Sequence, residues 1–126
     1  LHLTWAVRSS VNKEKEELLD KIKELAKFHG SSWNIRGEYP AWEYKKDSFL
    51  RDTMTRVYTE MYGNEPKIVA IHAGLECGLF LEKYPHLEMV SFGPTLRGVH
   101  SPDERLEIAT VDKFWALLLD VLKSCK

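Results

Sequence analysis

The chain has 126 residues, of which 44% are hydrophobic and 29% are charged, as is typical of a soluble globular protein. Its 18 basic and 19 acidic residues give a formal net charge of −1, which provides no electrostatic basis for binding nucleic acid or an anionic membrane surface. No apolar run approaches the roughly 20 residues that a membrane-spanning helix needs.

The first 46 residues predict a strand, a helix and a second strand. Residues 1–7 alternate between apolar and polar or small side chains, which is the two-residue period of a half-buried strand. Apolar residues at helical spacing then predict a helix from about residue 12 to residue 29, which Gly30 ends. Residues 33–39 return to the alternating pattern of a strand.

A change in composition around residues 40–48 predicts a domain boundary near Lys46. The part that follows predicts three helices separated by two apolar strands, an order typical of an α/β layer with parallel strands. The helices are expected at 49–62, at 76–84 and from 111 onward, and the strands at 67–72 and 88–92. Asp47 or Ser48 is expected to cap the first of these helices, and Thr110 the last.

Neither part has enough strands to enclose a core of its own. Parallel sheets of two strands leave two faces to be covered, and such sheets are rarely stable alone. We therefore expect the chain to be part of a longer polypeptide, as the absence of an initiator methionine also indicates.

His100 lies in a loop rich in glycine and proline, GPTLRGVHSPDER at residues 93–105. One interpretation is a solvated histidine that is hydrogen-bonded to a backbone carbonyl. The other is a neutral imidazole that binds a metal ion from a rigid turn. Asp103 or Glu104 would then orient its second ring nitrogen. For Glu104 the spacing from Ser101 favours a different role, the capping box of a short helical turn.

A second loop, IHAGLECG, holds His72, Gly74 and Glu76 after the strand predicted at 67–72. Because sites in parallel sheets lie beyond the carboxyl ends of strands, these residues and His100 are candidates for one site. His72 and Glu76 do not form a helical metal-binding pair, since His72 still belongs to the strand. Glu76 equally fits a role at the positive end of the next helix. Gly74 would allow a ligand close to the backbone.

Arg8 follows the apolar pattern of the first strand. It is either a surface arginine or a guanidinium group that holds a carboxylate through two parallel hydrogen bonds. The residue pattern alone leaves both interpretations open.

The chain has two cysteines, Cys77 and Cys125, which form neither a disulfide framework nor a zinc ribbon. This predicts a reducing, cytoplasmic setting. Cys77 is expected to be a small buried apolar residue.

Four segments together resemble the C-terminal part of the aminoacyl-histidine dipeptidases: AVRSS, GEYPAWEY, YGNEPKIVAIHAGLECGLF and MVSFGPTLRGVHSPDERLEIATVDKFW. These cytosolic enzymes cleave dipeptides such as carnosine and belong to the clan of co-catalytic zinc aminopeptidases. The resemblance implies an α/β fold in which residues 1–46 end a ferredoxin-like lid or dimerisation domain. Residues 47–126 would then close the metallopeptidase catalytic domain. A homodimer is also implied.

The resemblance further implies roles for individual residues. His100 matches the last zinc ligand, Arg8 the lid arginine that holds the substrate carboxylate, and Gly74 and Glu76 positions that line the substrate pocket. Two zinc ions per active site are implied, but their other ligands and the general base would come from an N-terminal segment that this sequence lacks. Because a catalytic zinc needs about three protein ligands, we expect the chain alone to bind no zinc and to be inactive. Its expected partners are a dipeptide substrate and the N-terminal part of the catalytic domain.

Two alternatives to a peptidase remain open. The strand-helix-strand start resembles half of a ferredoxin-like module, which would bind an amino acid or dimerise without a metal. A purely structural fragment would instead pair its open sheet edges with another copy of the chain.

Overall fold

The computed structural model describes residues 1–72 and 76–125. The described residues form four α-helices, one short 3-10 helix and a two-stranded antiparallel sheet. The helices are α1 (Asn12–Phe28), α2 (Phe49–Tyr62), α3 (Glu76–Lys83) and α4 (Val111–Ser124), the strands are β1 (Leu96–Arg97) and β2 (Arg105–Leu106), and the 3-10 helix spans Ile108–Thr110. All four α-helices lie where the sequence predicts them.

The helix α1 ends at the predicted glycine. Gly30 has a φ of 63°, a left-handed conformation that is accessible to glycine but strained for most other residues. Its N–H donates to Lys27 O at 3.0 Å, and the N–H of Ser31 donates to Ala26 O at 2.8 Å. These two bonds are those of a Schellman motif, which satisfies carbonyl groups at the end of the helix.

The helix α2 has the predicted signals at both ends. The Ser48 hydroxyl oxygen accepts a hydrogen bond from the N–H of Arg51 at 3.3 Å, which confirms Ser48 as the N-cap. Gly63 follows the helix with a φ of 74°, and its N–H donates to Thr59 O at 2.9 Å. A serine cap and a left-handed glycine therefore fix the length of α2.

The predicted strands are not formed as paired strands. Residues 1–7, 33–39, 67–72 and 88–92 belong to no strand ladder, and the two-stranded sheet lies instead in the segment predicted as a loop. An alternating or continuous apolar pattern reports which side chains prefer burial, whereas a strand also requires hydrogen bonds from a neighbouring strand. These four segments do not supply such neighbours to one another.

One compact unit consists of Leu1–Lys46 and Val69–Leu87. The first turn of α1 holds the segment around residue 40 in this unit. Asn12 Oδ1 accepts a hydrogen bond from the N–H of Ala41 at 2.8 Å, and Lys15 Nζ donates to Tyr39 O at 2.6 Å. No residue of α1 is buried, so its predicted apolar stripe is only partly covered.

The second compact unit consists of Asp47–Ile68 and Glu88–Lys126, and its core lies between α2 and α4. Val57, Leu117 and Val121 are buried, with 4%, 6% and 4% of their surface exposed. The partly buried residues packed against them are Leu50, Met54, Tyr58 and Met61. The Tyr62 hydroxyl joins the same two helices by donating to Lys113 O at 2.9 Å.

Many large apolar side chains of the described residues remain exposed, and none is fully buried. Trp5, Trp33 and Trp115 expose 55%, 51% and 57% of their surface. Such partial burial fits the expectation that neither part encloses a complete core. In the described part of the chain, no helix has the length and apolar character needed to cross a membrane. The assignment of residues 1–46 to a lid domain and of 47–126 to a catalytic domain stays a prediction.

Candidate functional site

His100 lies in the tight turn that connects β1 and β2. The two strands pair Leu96 with Leu106 and Arg97 with Arg105, so residues 98–104 form the loop. Gly98 O accepts hydrogen bonds from the N–H of Ser101 at 3.0 Å and from the Ser101 hydroxyl at 2.7 Å. The loop therefore folds back on itself close to His100.

The backbone of His100 has a φ of 65°, and no other non-glycine residue of the described chain has a positive φ. This left-handed conformation is uncommon for residues with a side chain. Glu104 Oε2 accepts a hydrogen bond from the backbone N–H of His100 at 2.9 Å. Glu104 also donates its own N–H to Ser101 O at 3.1 Å. These bonds hold the backbone from which the imidazole projects.

The predicted capping box at Ser101 and Glu104 is wrong. No helix begins there, because Glu104 is followed directly by β2. The Glu104 carboxylate instead bonds one residue earlier than a capping box requires, at the N–H of His100. It also does not orient the imidazole through a ring nitrogen, since its described contact is with the backbone.

Thr110 has a different role from the predicted helix cap. It makes no capping hydrogen bond with its side chain and lies at the end of the 3-10 helix. Its hydroxyl oxygen accepts from the N–H of Thr95 at 2.9 Å and donates to Glu107 O at 2.7 Å. Thr110 thereby links the start of α4 to the residue just before β1, at the open end of the hairpin in which His100 lies.

The His100 imidazole is exposed and makes no hydrogen bond or ion pair with a described residue. The ring is thus accessible on a braced turn, and its role as a metal ligand stays a prediction. Within residues 1–72 and 76–125, no three histidine, cysteine, aspartate or glutamate side chains come together in a way that would hold a metal ion. Since a catalytic zinc needs about three protein ligands, these residues do not form a metal site by themselves.

Arg8 is exposed, and within the described chain its guanidinium group has no hydrogen-bonding or charged partner. The residues after it are tightly held. The Ser9 hydroxyl oxygen accepts from the N–H of Val11 at 3.1 Å and donates to Glu14 Oε2 at 2.9 Å. A fixed backbone with a free guanidinium group fits the predicted binding of a carboxylate.

His72 accepts a hydrogen bond from the backbone N–H of Ser10 through Nδ1, at 3.0 Å. The sequence singled out His72 but gave no indication of this partner. The sequence pointed to this pair only indirectly, since His72 ends one segment predicted as a strand and Ser10 lies shortly after another. The bond joins the segment that follows Arg8 to the segment that precedes Glu76.

Glu76 is the first residue of α3 and is exposed. It therefore occupies the helix start, where a carboxylate interacts favourably with the helix dipole. Gly74 lies outside the described residues, and the predicted convergence of His72, Gly74, Glu76 and His100 stays a prediction.

Cys77 is half-buried rather than fully buried. Burial raises the pKa of the Cys77 thiol, and the charge of Glu76 raises this pKa further, while a backbone hydrogen bond acts in the opposite direction. A raised pKa keeps the sulfur protonated at neutral pH, so Cys77 is a poor nucleophile and a poor metal ligand.

Comparison with known proteins gives consistent matches over nearly the whole chain. The family model described as "Peptidase family M20/M25/M40" matches residues 8–124. The cytosol non-specific dipeptidase of Escherichia coli (strain K12) is 38% identical over 117 residues, which cover 93% of this chain and 24% of that protein. The crystal structure of aminoacylhistidine dipeptidase from Vibrio alginolyticus is similar with a TM-score of 0.79 and 39% identity, and the match covers 92% of this chain and 24% of that chain. This chain thus spans about a quarter of the length of these relatives.

The structural similarity also confirms the predicted fold class. Despite the unpaired strand segments, the chain has the fold of the matching part of a dipeptidase of known structure. The predicted resemblance to aminoacyl-histidine dipeptidases is confirmed as well.

Proposed function

Because this chain belongs to the peptidase family M20/M25/M40, we propose that it is part of a metal-dependent dipeptidase that hydrolyses Xaa-His and related dipeptides. The observation that supports this most strongly is the identity of 38% and 39% to two dipeptidases over more than nine-tenths of the chain. The name of one of them specifies aminoacylhistidine substrates, and that of the other a broader dipeptide specificity.

The proposed reaction is the attack of a water molecule on the peptide carbonyl, with a general base that takes up the proton of the water. Zinc would supply Lewis acidity toward the carbonyl and the attacking water. His100 would be one of the ligands, because its exposed imidazole lies on a turn that is braced by Glu104 and Ser101. Its described neighbours do not complete a metal site. The other ligands and the general base would come from another segment of the same polypeptide.

In this proposal Arg8 binds the carboxylate of the dipeptide. Its guanidinium group is exposed and has no partner in the described chain, and its planar fork fits a carboxylate through two parallel hydrogen bonds. Gly74 and Glu76 would line the pocket beside the substrate. Recognition of the carboxylate would explain a preference for dipeptides over longer peptides, in which this group lies further from the scissile bond.

We also propose that residues 1–46 belong to a lid or dimerisation domain and residues 47–126 to the catalytic domain. The assembly would be a homodimer with two zinc ions in each active site. A cytoplasmic location is supported by the description of the E. coli relative as a cytosol enzyme.

The decisive experiment compares the full-length protein, this chain alone, and this chain supplemented with the preceding segment. We expect zinc-dependent hydrolysis of an Xaa-His dipeptide by the first and third samples and none by the second. A full-length protein that shows no hydrolysis after removal and readdition of zinc would rule out the proposal. Binding of an amino acid by the isolated chain without metal would instead support the ferredoxin-like module.

A further inference from the structure

A hydrogen bond between Ser10 and His72 connects two segments that the proposed function places around the substrate. The backbone N–H of Ser10 donates to His72 Nδ1 at 3.0 Å, across 62 positions of sequence. Ser10 lies two residues after Arg8, and His72 lies four residues before Glu76. Neither Ser10 nor His72 has a role in the proposed chemistry, so the contact requires an explanation of its own.

The bond specifies the chemical state of His72. A backbone N–H can only donate, so Nδ1 must be the unprotonated acceptor and the neutral ring carries its proton on Nε2. An imidazole that accepts from the backbone in this way is fixed in orientation. The described contact of His72 is thus with the backbone of Ser10.

The two residues that follow Arg8, Ser9 and Ser10, are each held by hydrogen bonds to another part of the chain. On one side the Ser9 hydroxyl links this segment to the first turn of α1 by accepting from the N–H of Val11 and donating to Glu14 Oε2. On the other side Ser10 is bonded to His72. With both contacts in place, the backbone that carries Arg8 has a defined position, while its side chain remains free.

We propose that His72 is a positioning residue for the contact between Arg8 and the substrate carboxylate. This inference rests on the proposed function, since it assumes that Arg8 binds the carboxylate. The Ser10–His72 bond holds the Arg8 backbone in the position from which its guanidinium group reaches the carboxylate. Loss of the bond lets this segment move, so that part of the binding energy of the carboxylate is used to order it.

Two substitutions of His72 test whether the hydrogen-bond acceptor must lie at the position of Nδ1. Both introduce a polar side chain, but only one of them places an acceptor there. Asparagine places its Oδ1 where Nδ1 of histidine lies, whereas glutamine places its acceptor closer to the position of Nε2. We expect His72→Asn to retain the bond to Ser10 and His72→Gln to lose it. A suitable control is His86→Gln, since His86 is an exposed histidine of the same compact unit whose described contact is with the ring of Tyr84.

The experiment uses the full-length protein and measures kcat and KM for a dipeptide and for its C-terminally amidated analogue. We expect His72→Gln to raise KM for the free-carboxylate dipeptide about fivefold, the effect of one lost hydrogen bond that is exposed to solvent. The same variant should leave kcat and the hydrolysis of the amide nearly unchanged. His72→Asn and His86→Gln should behave as the unmodified protein does. Combining Arg8→Ala with His72→Gln should add nothing to the effect of Arg8→Ala alone, since the two residues act in series.

Hydrogen exchange of the Ser10 amide, measured by mass spectrometry, provides a readout besides activity. We expect faster exchange in His72→Gln and native exchange in His72→Asn.

If Arg8→Ala abolishes the preference for a free carboxylate while His72→Gln leaves it intact, the positioning role is wrong and the proposed function stands. If neither variant changes the preference for a free carboxylate, or if the full-length protein hydrolyses no dipeptide, the proposed function is wrong. The positioning role of His72 is then wrong as well. Equal losses for the dipeptide and its amide in His72→Gln would show a general structural role and would also overturn the inference.

Discussion

Glu104 Oε2 accepts a hydrogen bond from the backbone N–H of His100 at 2.9 Å and thereby braces a residue whose φ is 65°. A carboxylate that stabilises the backbone of a proposed metal ligand acts on metal binding without touching the metal. Its effect comes through the backbone alone, so it is limited to about the 1 kcal/mol that one hydrogen bond contributes. Substitution of Glu104 therefore tests whether a fixed His100 backbone strengthens metal binding.

Replacing Glu104 should weaken zinc binding in the full-length protein. We expect Glu104→Ala to lower zinc affinity about fivefold, since one hydrogen bond, to the His100 N–H, is lost. Glu104→Gln should lose less, because its amide oxygen can still accept. Competition with a chromophoric chelator measures the affinity. Asp103→Ala is the control, since the described hydrogen bonds of Asp103 involve its backbone, and equal effects at both positions would contradict the role of Glu104.

Substitutions of His100 should separate metal binding from backbone strain. His100→Ala and His100→Gly should both abolish dipeptide hydrolysis and lower the zinc content of the full-length protein. The metal-free glycine variant should nevertheless be more stable than the alanine variant by about 1 kcal/mol, because glycine adopts a φ of 65° without strain. Thermal unfolding of both metal-free variants measures the difference. Zinc content equal to that of the unmodified protein in either variant would exclude His100 as a ligand.

Gly78 in α3 should not tolerate a side chain. A Cβ atom at this position would lie 2.6 Å from Pro40 O, a backbone atom that cannot move away easily. We expect Gly78→Ala to lower the free energy of unfolding by about 1–3 kcal/mol, although alanine favours the helix. Gly93→Ala is the matched control, because nothing lies within 4 Å of its added Cβ. Equal melting temperatures of the two variants would show that α3 does not pack closely on Pro40.

The helices were predictable because their signals are local. Gly30 ends α1, and Ser48 and Gly63 bound α2, each through contacts within a few residues of the helix end. The predicted strands depended on partners that a local pattern does not specify. A run of apolar residues shows that a segment prefers burial, but the hydrogen bonds of a strand come from a neighbour elsewhere in the sequence.

The candidate site shows the same division between local and distant information. The residue types around His100 predicted a stiff turn, and the spacing of Ser101 and Glu104 indicated that the carboxylate would bond to a nearby N–H. That spacing did not reveal that the donor is His100, because it also did not predict the positive φ of this residue. The contact between Ser10 and His72 crosses 62 positions, and no periodicity or motif reports such a pair.

Cys77 should react slowly with alkylating reagents in the folded protein. Burial raises the pKa of its thiol, so at any given pH near neutrality the folded protein contains less thiolate than the unfolded chain does. The pH midpoint for alkylation of Cys77 should therefore lie above that measured in denaturant. Glu76→Gln should lower the midpoint in part, because the charge of Glu76 contributes less than burial. Peptide mapping after iodoacetamide treatment measures each rate separately.

The same raised pKa has a consequence for stability. The folded protein holds the Cys77 proton more tightly than the unfolded chain, so this contribution to stability is complete below the pKa of the unfolded thiol. It is lost as pH rises through the pKa of the folded protein. Cys77→Ser should therefore reduce the loss of stability at alkaline pH. The exposed Cys125 provides the control, since Cys125→Ser removes a thiol that is not buried.

Arg8 should contribute to substrate binding through the geometry of its guanidinium group and not through charge alone. We expect Arg8→Ala to lower kcat/KM for dipeptides with a free carboxylate by about 2 kcal/mol, or about 30-fold, as for a lost charge-assisted pair. Arg8→Lys should recover only part of this loss, because an ammonium group cannot form two parallel hydrogen bonds with one carboxylate.

Arg36 is an exposed arginine of the same compact unit without a described partner, so Arg36→Ala is the control for a change in net charge. Steady-state kinetics with a dipeptide and its amide tests both points, because the amide lacks the charge that Arg8 binds. Full recovery by lysine would reduce the role of Arg8 to general electrostatic attraction, and an equal loss in Arg36→Ala would remove Arg8 from the proposed site.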